Sequence, residues 1–425
     1  MTTIQGFDFF KLTFDQNGAA VDAAELAGLL ARANATKVTD VVLIAHGFRN
    51  DEADATKLYT NFLTTLRGHL GRPEFATVAT RKFAIGGIYW PSKTFKEAGV
   101  DDPAPSGTRE LRRDQHTLAD AKARLQHLKK HDATPAQRKK LDHAIDLLPT
   151  LETDPDAQDE FVKDVLSLLD HSPVDATEGL PQIKKQSGSE ILAKLDTPGA
   201  TGTRGIGDVV GAIGGRVGQF LNLTTWYVMK DRSGTVGEKG VAEVVHELHS
   251  KQPAMKIHLV GHSLGGRLMA SCARTLASAP VVHPDSLTLL EAAFSHFGFS
   301  PDNGHGKAGF FRDVVAKQVV KTLFLSTFSG QDTVVGHAYS IMSRLAGDNT
   351  REIGDANDEF GGIGRNGPLR TAEVSTTPLH APGTPYAFKP GVINNLDGSG
   401  GLIKDHGDVT NAAVTYAFAS AMART

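Results

Sequence analysis

The stretch "KIHLVGHSLGGRLMASCART", residues 256–275, decides how the chain is read. It opens with β-branched and apolar residues, passes a glycine-flanked serine, and goes on in alternating small and apolar residues. The first part predicts a buried strand over 256–261 and the last a helix over 264–276. Ser263 then stands in the tight turn where the strand gives way to the helix. The helix packs back on the strand, so side chains at Gly261 and Gly265 would clash, and the serine is pushed out above the sheet edge. The same helix aims its positive end at that point, where developing negative charge would be stabilised. A glycine–serine turn can arise by chance, but a strand before it and a helix after it favour a nucleophile.

Outward from this stretch the chain repeats the same alternation. Short apolar runs predict further strands over 7–14, 38–45, 83–90, 285–293, 320–328 and 391–396, separated by helical patterns. Such an order is the signature of a mostly parallel sheet wrapped by helices. In "DEADATKLYTNFLTTLRGHL", Leu58, Phe62, Leu66 and Leu70 recur every four residues on one helix face. Two more helical patterns are "TVGEKGVAEVVHELHSK", before the quoted strand, and "TNAAVTYAFASAMA", near the end of the sequence.

From 96 to 225 no strand is expected, and charge, glycine and proline take over. The region reads as a helical insertion dividing a core of 1–95 and 226–425. Leu111, Leu118 and Leu125 repeat at seven. "TPAQ" at 134–137 offers a capping threonine, a proline at the first helical position and a glutamine for a capping box. Asp154 and Pro155 make a similar start before Phe161, Val165 and Leu168. These amphipathic helices read equally as a cap over the core or as a surface hairpin. "GIGDVVGAIGGRVG" at 205–218 has the glycines of a dinucleotide loop but no strand before it, so it reads as a close-packing or mobile helix. Contact of this tract with lipid or a membrane surface stays open. "EFGGIGRNGP" at 359–368 lies in a long stretch without periodicity, where loops are often functional.

The composition limits what the protein does. Among 425 residues, 45 are basic and 48 acidic, a formal net charge of −3, which gives no electrostatic footprint for nucleic acid. The single cysteine, Cys272, excludes an intrachain disulfide and a multi-cysteine metal site, and its apolar setting suits a packing thiol. No HExxH occurs, and neither a metal nor a cofactor is expected. "MTTIQGFDFFKLTFD" reads as a strand rather than a secretory leader, and no apolar run reaches a transmembrane length of about 18 residues. A cytoplasmic location is the expectation.

"GHSLGG" at 261–266 closely resembles the nucleophile elbow of α/β-hydrolases of the lipase and esterase type. The resemblance covers the core and not the insertion. It implies an α/β-hydrolase fold with a large helical insertion, and a serine hydrolase that cleaves a small-molecule or lipid ester through an acyl-enzyme. Thioester hydrolysis or acyl transfer by the same residues is the alternative, and a non-catalytic binding protein on the same fold is a more distant one. The family's chain order is nucleophile, acid, histidine. Of seventeen histidines, it selects His406 in "GGLIKDHGDVTNAAV" as the base, ahead of His337 and His380. It selects Asp332 in "LFLSTFSGQDTVVG" as the acid that orients the imidazole, with Glu291, a charge inside the apolar run "SLTLLEAAF", in reserve. As a turn residue, Asp332 would also serve as a helix cap. The resemblance further implies an oxyanion hole from the N–H groups of Leu264 and of Phe48 in "VVLIAHGFRN", with His46, Gly47, Gly261, His262 and Gly265 in support. "IYWPS" at 88–92 is similar to a Trp-Pro-Ser strand end in some bacterial serine hydrolases, a similarity that names no chemical role.

Overall fold

A computed structural model describes residues 2–35, 38–93, 118–170, 172, 176–195, 206–304, 306–346 and 356–425. Its strands are β1 (Thr2–Ile4), β2 (Phe7–Thr13), β3 (Asp40–Ala45), β4 (Phe83–Tyr89), β5 (Lys256–His262), β6 (Ser286–Leu290), β7 (Leu323–Phe328), β8 (Val374–Pro378) and β9 (Ile393–Asp397). They form one nine-stranded sheet in the order β1-β2-β4-β3-β5-β6-β7-β9-β8. Only the β1–β2 pairing is antiparallel. Every residue of β3, β4 and β6 is buried, so both faces of these strands are covered, and Asp40, Ser286 and Thr288 are buried polar residues among them.

One apolar cluster covers the face that carries helices Ala23–Ala35 and Leu264–Leu276, and a second covers the face that carries helices Glu52–Leu70 and Ala412–Met422. From β3 the chain steps to β4 on one side and later returns to β5 on the other, so the strand order reverses between β3 and β5. The crevice outside the carboxyl ends of such a pair is where open α/β sheets bind ligands.

Several boundaries differ from the sequence reading. β6 stops at Leu290 rather than 293 because Glu291 takes a left-handed φ of 43° and ends the ladder. β7 starts at Leu323 rather than 320, and β9 spans Ile393–Asp397 rather than 391–396. β1, with three residues, is too short to show a period, and the half-exposed edge strand β8 carries no apolar run.

The expected insertion contains helices Leu118–His131, Pro135–Leu147, Pro155–Leu166 and Gly188–Lys194. Thr134 and Gln137 form the capping box, and the Asp154 carboxylate accepts from the Asp156 and Ala157 N–H groups. Leu125, Phe161 and Val165 are buried, while Leu111 lies outside the described residues. The glycine-rich tract opens a 30-residue helix, Ile206–Thr235, whose side chains are described from residue 213 onward. This helix passes without a break through 225–226, where the sequence reading ends the insertion, and continues through a π-helical turn, Val236–Val241, into helix Ala242–Lys251. A Cβ on Gly237 would lie 2.1 Å from the Leu268 carbonyl oxygen, so the π turn rests directly on the helix that follows Ser263. Residues of the insertion and of the core share one apolar cluster.

Candidate active site

Ser263 sits between β5 and helix Leu264–Leu276 with φ 56° and ψ −125°, a conformation that costs a non-glycine residue about 1–3 kcal/mol. Its surroundings enforce that conformation. The Ser263 N–H donates to the Leu290 carbonyl at 3.0 Å, and its own carbonyl accepts from Gly266 and Ala293 at 2.9 and 3.1 Å. A Cβ on Gly261 would stand 2.1 Å from the Gly265 carbonyl oxygen, and one on Gly265 would stand 2.4 Å from that of Ala45. Both flanking glycines are therefore required by close approach of strand and helix.

Asp332 and His406, distant in sequence, meet in the fold. Asp332 lies in the turn between β7 and helix Thr333–Ala346, fully buried, and His406 follows β9. His406 Nδ1 is 2.7 Å from Asp332 Oδ2. The other carboxylate oxygen accepts from the Val335 N–H at 2.9 Å, so Asp332 caps the following helix with one oxygen and holds the imidazole with the other. A carboxylate acceptor places the proton on Nδ1 and leaves the Nε2 lone pair as the basic one. His337 lies on the helix after Asp332, and His380 stacks on Tyr386; the imidazole bonded to Asp332 is that of His406.

His262 ties this pair to the elbow. Its Nε2–H donates to the His406 carbonyl at 2.8 Å, and the two rings pack with centroids 4.8 Å apart. Burial holds the His262 pKa down to about 3, so the ring is neutral. Its Nδ1, which then carries only a lone pair, is buried without a hydrogen-bond partner. Ser263 and His406 are only 4% and 6% exposed. The site is closed over.

The turn after β3 supplies the opposite wall. Gly47 faces Ser263 so closely that a Cβ there would lie 2.6 Å from the serine Cβ. Leu264, first in its helix, has an N–H without an intrahelical acceptor. Phe48 is half-buried, and its ring packs edge-on against Trp226 of helix Ile206–Thr235 with centroids 5.8 Å apart. The "IYWPS" segment now acquires a role, because it cradles this turn. Trp90 stacks on His46 and donates from Nε1 to the His46 carbonyl at 3.0 Å. The Ser92 hydroxyl donates to the Asn50 carbonyl at 2.8 Å, and the Ser92 carbonyl accepts from the Arg49 N–H. The His46 N–H donates to the Tyr59 hydroxyl at 3.0 Å. Burial lowers the His46 pKa to about 4.

The aperiodic stretch 359–368 packs behind Asp332. Gly364 accepts from the Ser329 N–H at 3.0 Å, and Arg365 Nη1 donates to the Gly330 and Asp332 carbonyls. Sequence reasoning singled out this tract without a partner for it. Trp90, Ser92, Trp226 and Arg365 were missed as individual residues: the Trp-Pro-Ser similarity pointed at the first two, the aperiodic tract 359–368 contained Arg365, and nothing in the sequence signalled Trp226. Cys272 is buried, and burial pushes its thiol pKa up.

Among the described residues no group of three or more His, Cys, Asp or Glu side chains could hold a metal ion. No described helix is long and apolar enough to cross a membrane. No protein-family model matches the chain, and neither the curated proteins nor the solved structures include a significant match to it.

Proposed function

We propose that the protein is a serine hydrolase of carboxylic esters with an α/β-hydrolase fold. One juxtaposition carries the reading: His406, bonded to Asp332 at 2.7 Å, is packed against the residue preceding the strained Ser263. His406 Nε2 takes the serine proton as Oγ attacks the ester carbonyl carbon, and Asp332 stabilises the imidazolium that forms. The Phe48 and Leu264 N–H groups receive the oxyanion. Collapse of the tetrahedral intermediate breaks the C–O bond, and the alcohol leaves with the proton from His406. Water, deprotonated by the same histidine, then attacks the acyl-enzyme and releases the acid. Helix Ile206–Thr235 brings Trp226 against Phe48, and Arg232 binds Asp132 and the Pro91 carbonyl, so the insertion serves as a cap over the acyl side of the site.

Fluorophosphonate labelling tests the reading directly. The wild-type protein is expected to be labelled at Ser263, and Ser263→Ala is expected to lose the label and about 10⁴-fold or more of its turnover of p-nitrophenyl esters. Undiminished labelling of the alanine variant would refute it. Alcohol and thiol acceptors added to the ester assay separate hydrolysis from acyl transfer.

A further inference from the structure

Glu291 is a second acid in the space that holds Asp332, and the reaction described above gives it no task. It follows β6, where Leu290 pairs with Thr327 of β7. Its N–H donates to Thr327 Oγ1 at 3.3 Å, and its φ is 43°. Gly364 seals the bend: a Cβ there would lie 2.5 Å from the Glu291 carbonyl carbon. The side chain is wholly buried, and its carboxyl group meets that of Asp332. Neither Glu291 oxygen has a protein donor in hydrogen-bonding geometry. Two adjoining carboxyl groups cannot both stay ionised in a dry site. Burial foremost, and the Asp332 charge next, push the Glu291 pKa well above the usual carboxylate range.

We propose that Glu291 is a positioning acid: its protonated carboxyl group donates a hydrogen bond to Asp332, and the pair presents a single negative charge to His406 Nδ1–H. The inference rests on the Ser263–His406–Asp332 reading. Asp332 already accepts from Val335 with Oδ1 and from His406 with Oδ2, and the Glu291 O–H occupies a remaining lone pair. Three donors then fix the carboxylate plane that orients the imidazole. If Asp332 is made neutral, the repulsion that keeps Glu291 protonated disappears. Glu291 becomes the carboxyl group that can ionise and supply the missing charge.

Five proteins test this: wild type, E291Q, E291M, D332N and the double variant D332N/E291Q. Each is measured for kcat and KM on a p-nitrophenyl ester, for its rate of fluorophosphonate labelling, and for its thermal unfolding. E291M is expected to lose about tenfold or more in kcat with little change in KM, and E291Q to recover most of that loss, because the Gln amide still donates to Asp332. The double variant is expected to fall about tenfold or more below D332N, because the substitute charge is gone. The proton NMR resonance of His406 Nδ1–H is expected to hold its position in E291Q and to move in E291M. Wild-type kcat in E291M, or equal rates for D332N and D332N/E291Q, would overturn the proposal. Should E291M not fold, the D332N comparison still decides. Persistent labelling of Ser263→Ala would overturn the triad itself, whereas its loss alongside equal D332N rates would overturn only the role of Glu291.

Discussion

Gly47 faces Ser263 so closely that a Cβ added to the glycine would lie 2.6 Å from the serine Cβ and 3.2 Å from its Oγ. The two residues follow the ends of neighbouring strands, β3 and β5, at the point where the strand order reverses. Their approach brings the backbone of one strand end within reach of a group bonded to the other. A donor for an oxyanion at Ser263 can come from residue 48 only if residue 47 has no side chain.

This leads to the first prediction. Gly47→Ala forces the His46–Asn50 turn away from Ser263 and is expected to lower kcat by about 10²–10³-fold, the loss typical of one oxyanion donor. Stability should change far less, because the turn stays tethered through Trp90 and Ser92. Ester kinetics and thermal unfolding of the same variant check both halves. Wild-type turnover in Gly47→Ala would remove Phe48 from the oxyanion hole.

The elbow was legible because its requirements are local. A buried strand, two glycines forced by close approach and a helix leave their marks within twenty residues. Asp332 and His406 were legible by chain order, although nothing local in either segment reveals the 2.7 Å contact between them. The cradle around His46 was illegible for a different reason. Trp90 and Ser92 act on a turn some forty residues away, and a Trp-Pro-Ser triplet carries no periodic signal of its partner. The end of the insertion leaves no local mark in the sequence, because one helical pattern runs through 225–226 and carries its glycines with it. In helix Ile206–Thr235 and the π turn that follows, they permit contact with the helix after Ser263, as at Gly234 and Gly237.

A buried charge cluster fastens Glu178 of the insertion to the core. Lys230 is fully buried and pairs with Glu178, and the Tyr339 hydroxyl is 2.7 Å from both Lys230 Nζ and Glu178 Oε2. Glu178 Oε1 accepts from the Ser295 N–H at 3.0 Å. Removing one member leaves the other charged and unpaired in a dry site. Lys230→Met is expected to cost about 3–5 kcal/mol in urea unfolding, and the double variant Lys230→Met with Glu178→Gln clearly less than the sum of the two single losses. Additive losses would show that the pair is not energetically coupled.

The buried histidines beside the elbow give stability a pH dependence whose sign can be worked out. His46 and His262 have folded pKa values lowered to about 4 and about 3, chiefly by burial, against 6.5 for an unperturbed histidine. Between these limits the unfolded chain binds more protons, so their contribution is complete above pH 6.5 and is lost as the pH falls toward 4. Burial raises the pKa values of Glu291 and Asp231, and the Asp164 hydrogen bond raises that of exposed His143, so these groups act in the opposite sense. The net slope mixes both signs. The difference between wild type and His262→Gln isolates one histidine and is expected to approach one proton, about 1.4 kcal/mol per pH unit, between pH 4.5 and 6. Parallel stability curves for the two proteins would contradict a neutral buried His262.

The molecule also contains its own control for the proposed chemistry. At the opposite, amino-terminal ends of the strands, His258 Nδ1 is 2.8 Å from Ser286 Oγ and His258 Nε2 is 3.0 Å from Asp40 Oδ1. The residue types are those of a catalytic triad, yet all three are wholly buried, and Asp40 is also bound by Arg81 at 3.0 Å. Ser286 lies within β6 in regular pairing with His258 and Leu323, so no strained turn presents its hydroxyl and no helix begins beside it. Ser286→Ala is therefore expected to keep full fluorophosphonate labelling and ester turnover. Asp40→Asn is expected to act on stability instead, by about 3–5 kcal/mol, because it leaves Arg81 without its buried partner and disturbs the His258 bond. The hydrogen bond from His258, the leading influence against burial, lowers the Asp40 pKa, so this contribution is present above the ordinary carboxylate range and lost as the pH falls below about 4. Labelling stoichiometry and urea midpoints on the two variants separate the outcomes. Loss of labelling in Ser286→Ala, with the fold intact, would mean that nucleophilicity in this chain follows residue type rather than the geometry of the Ser263 turn, and the assignment of Ser263 would fall with it.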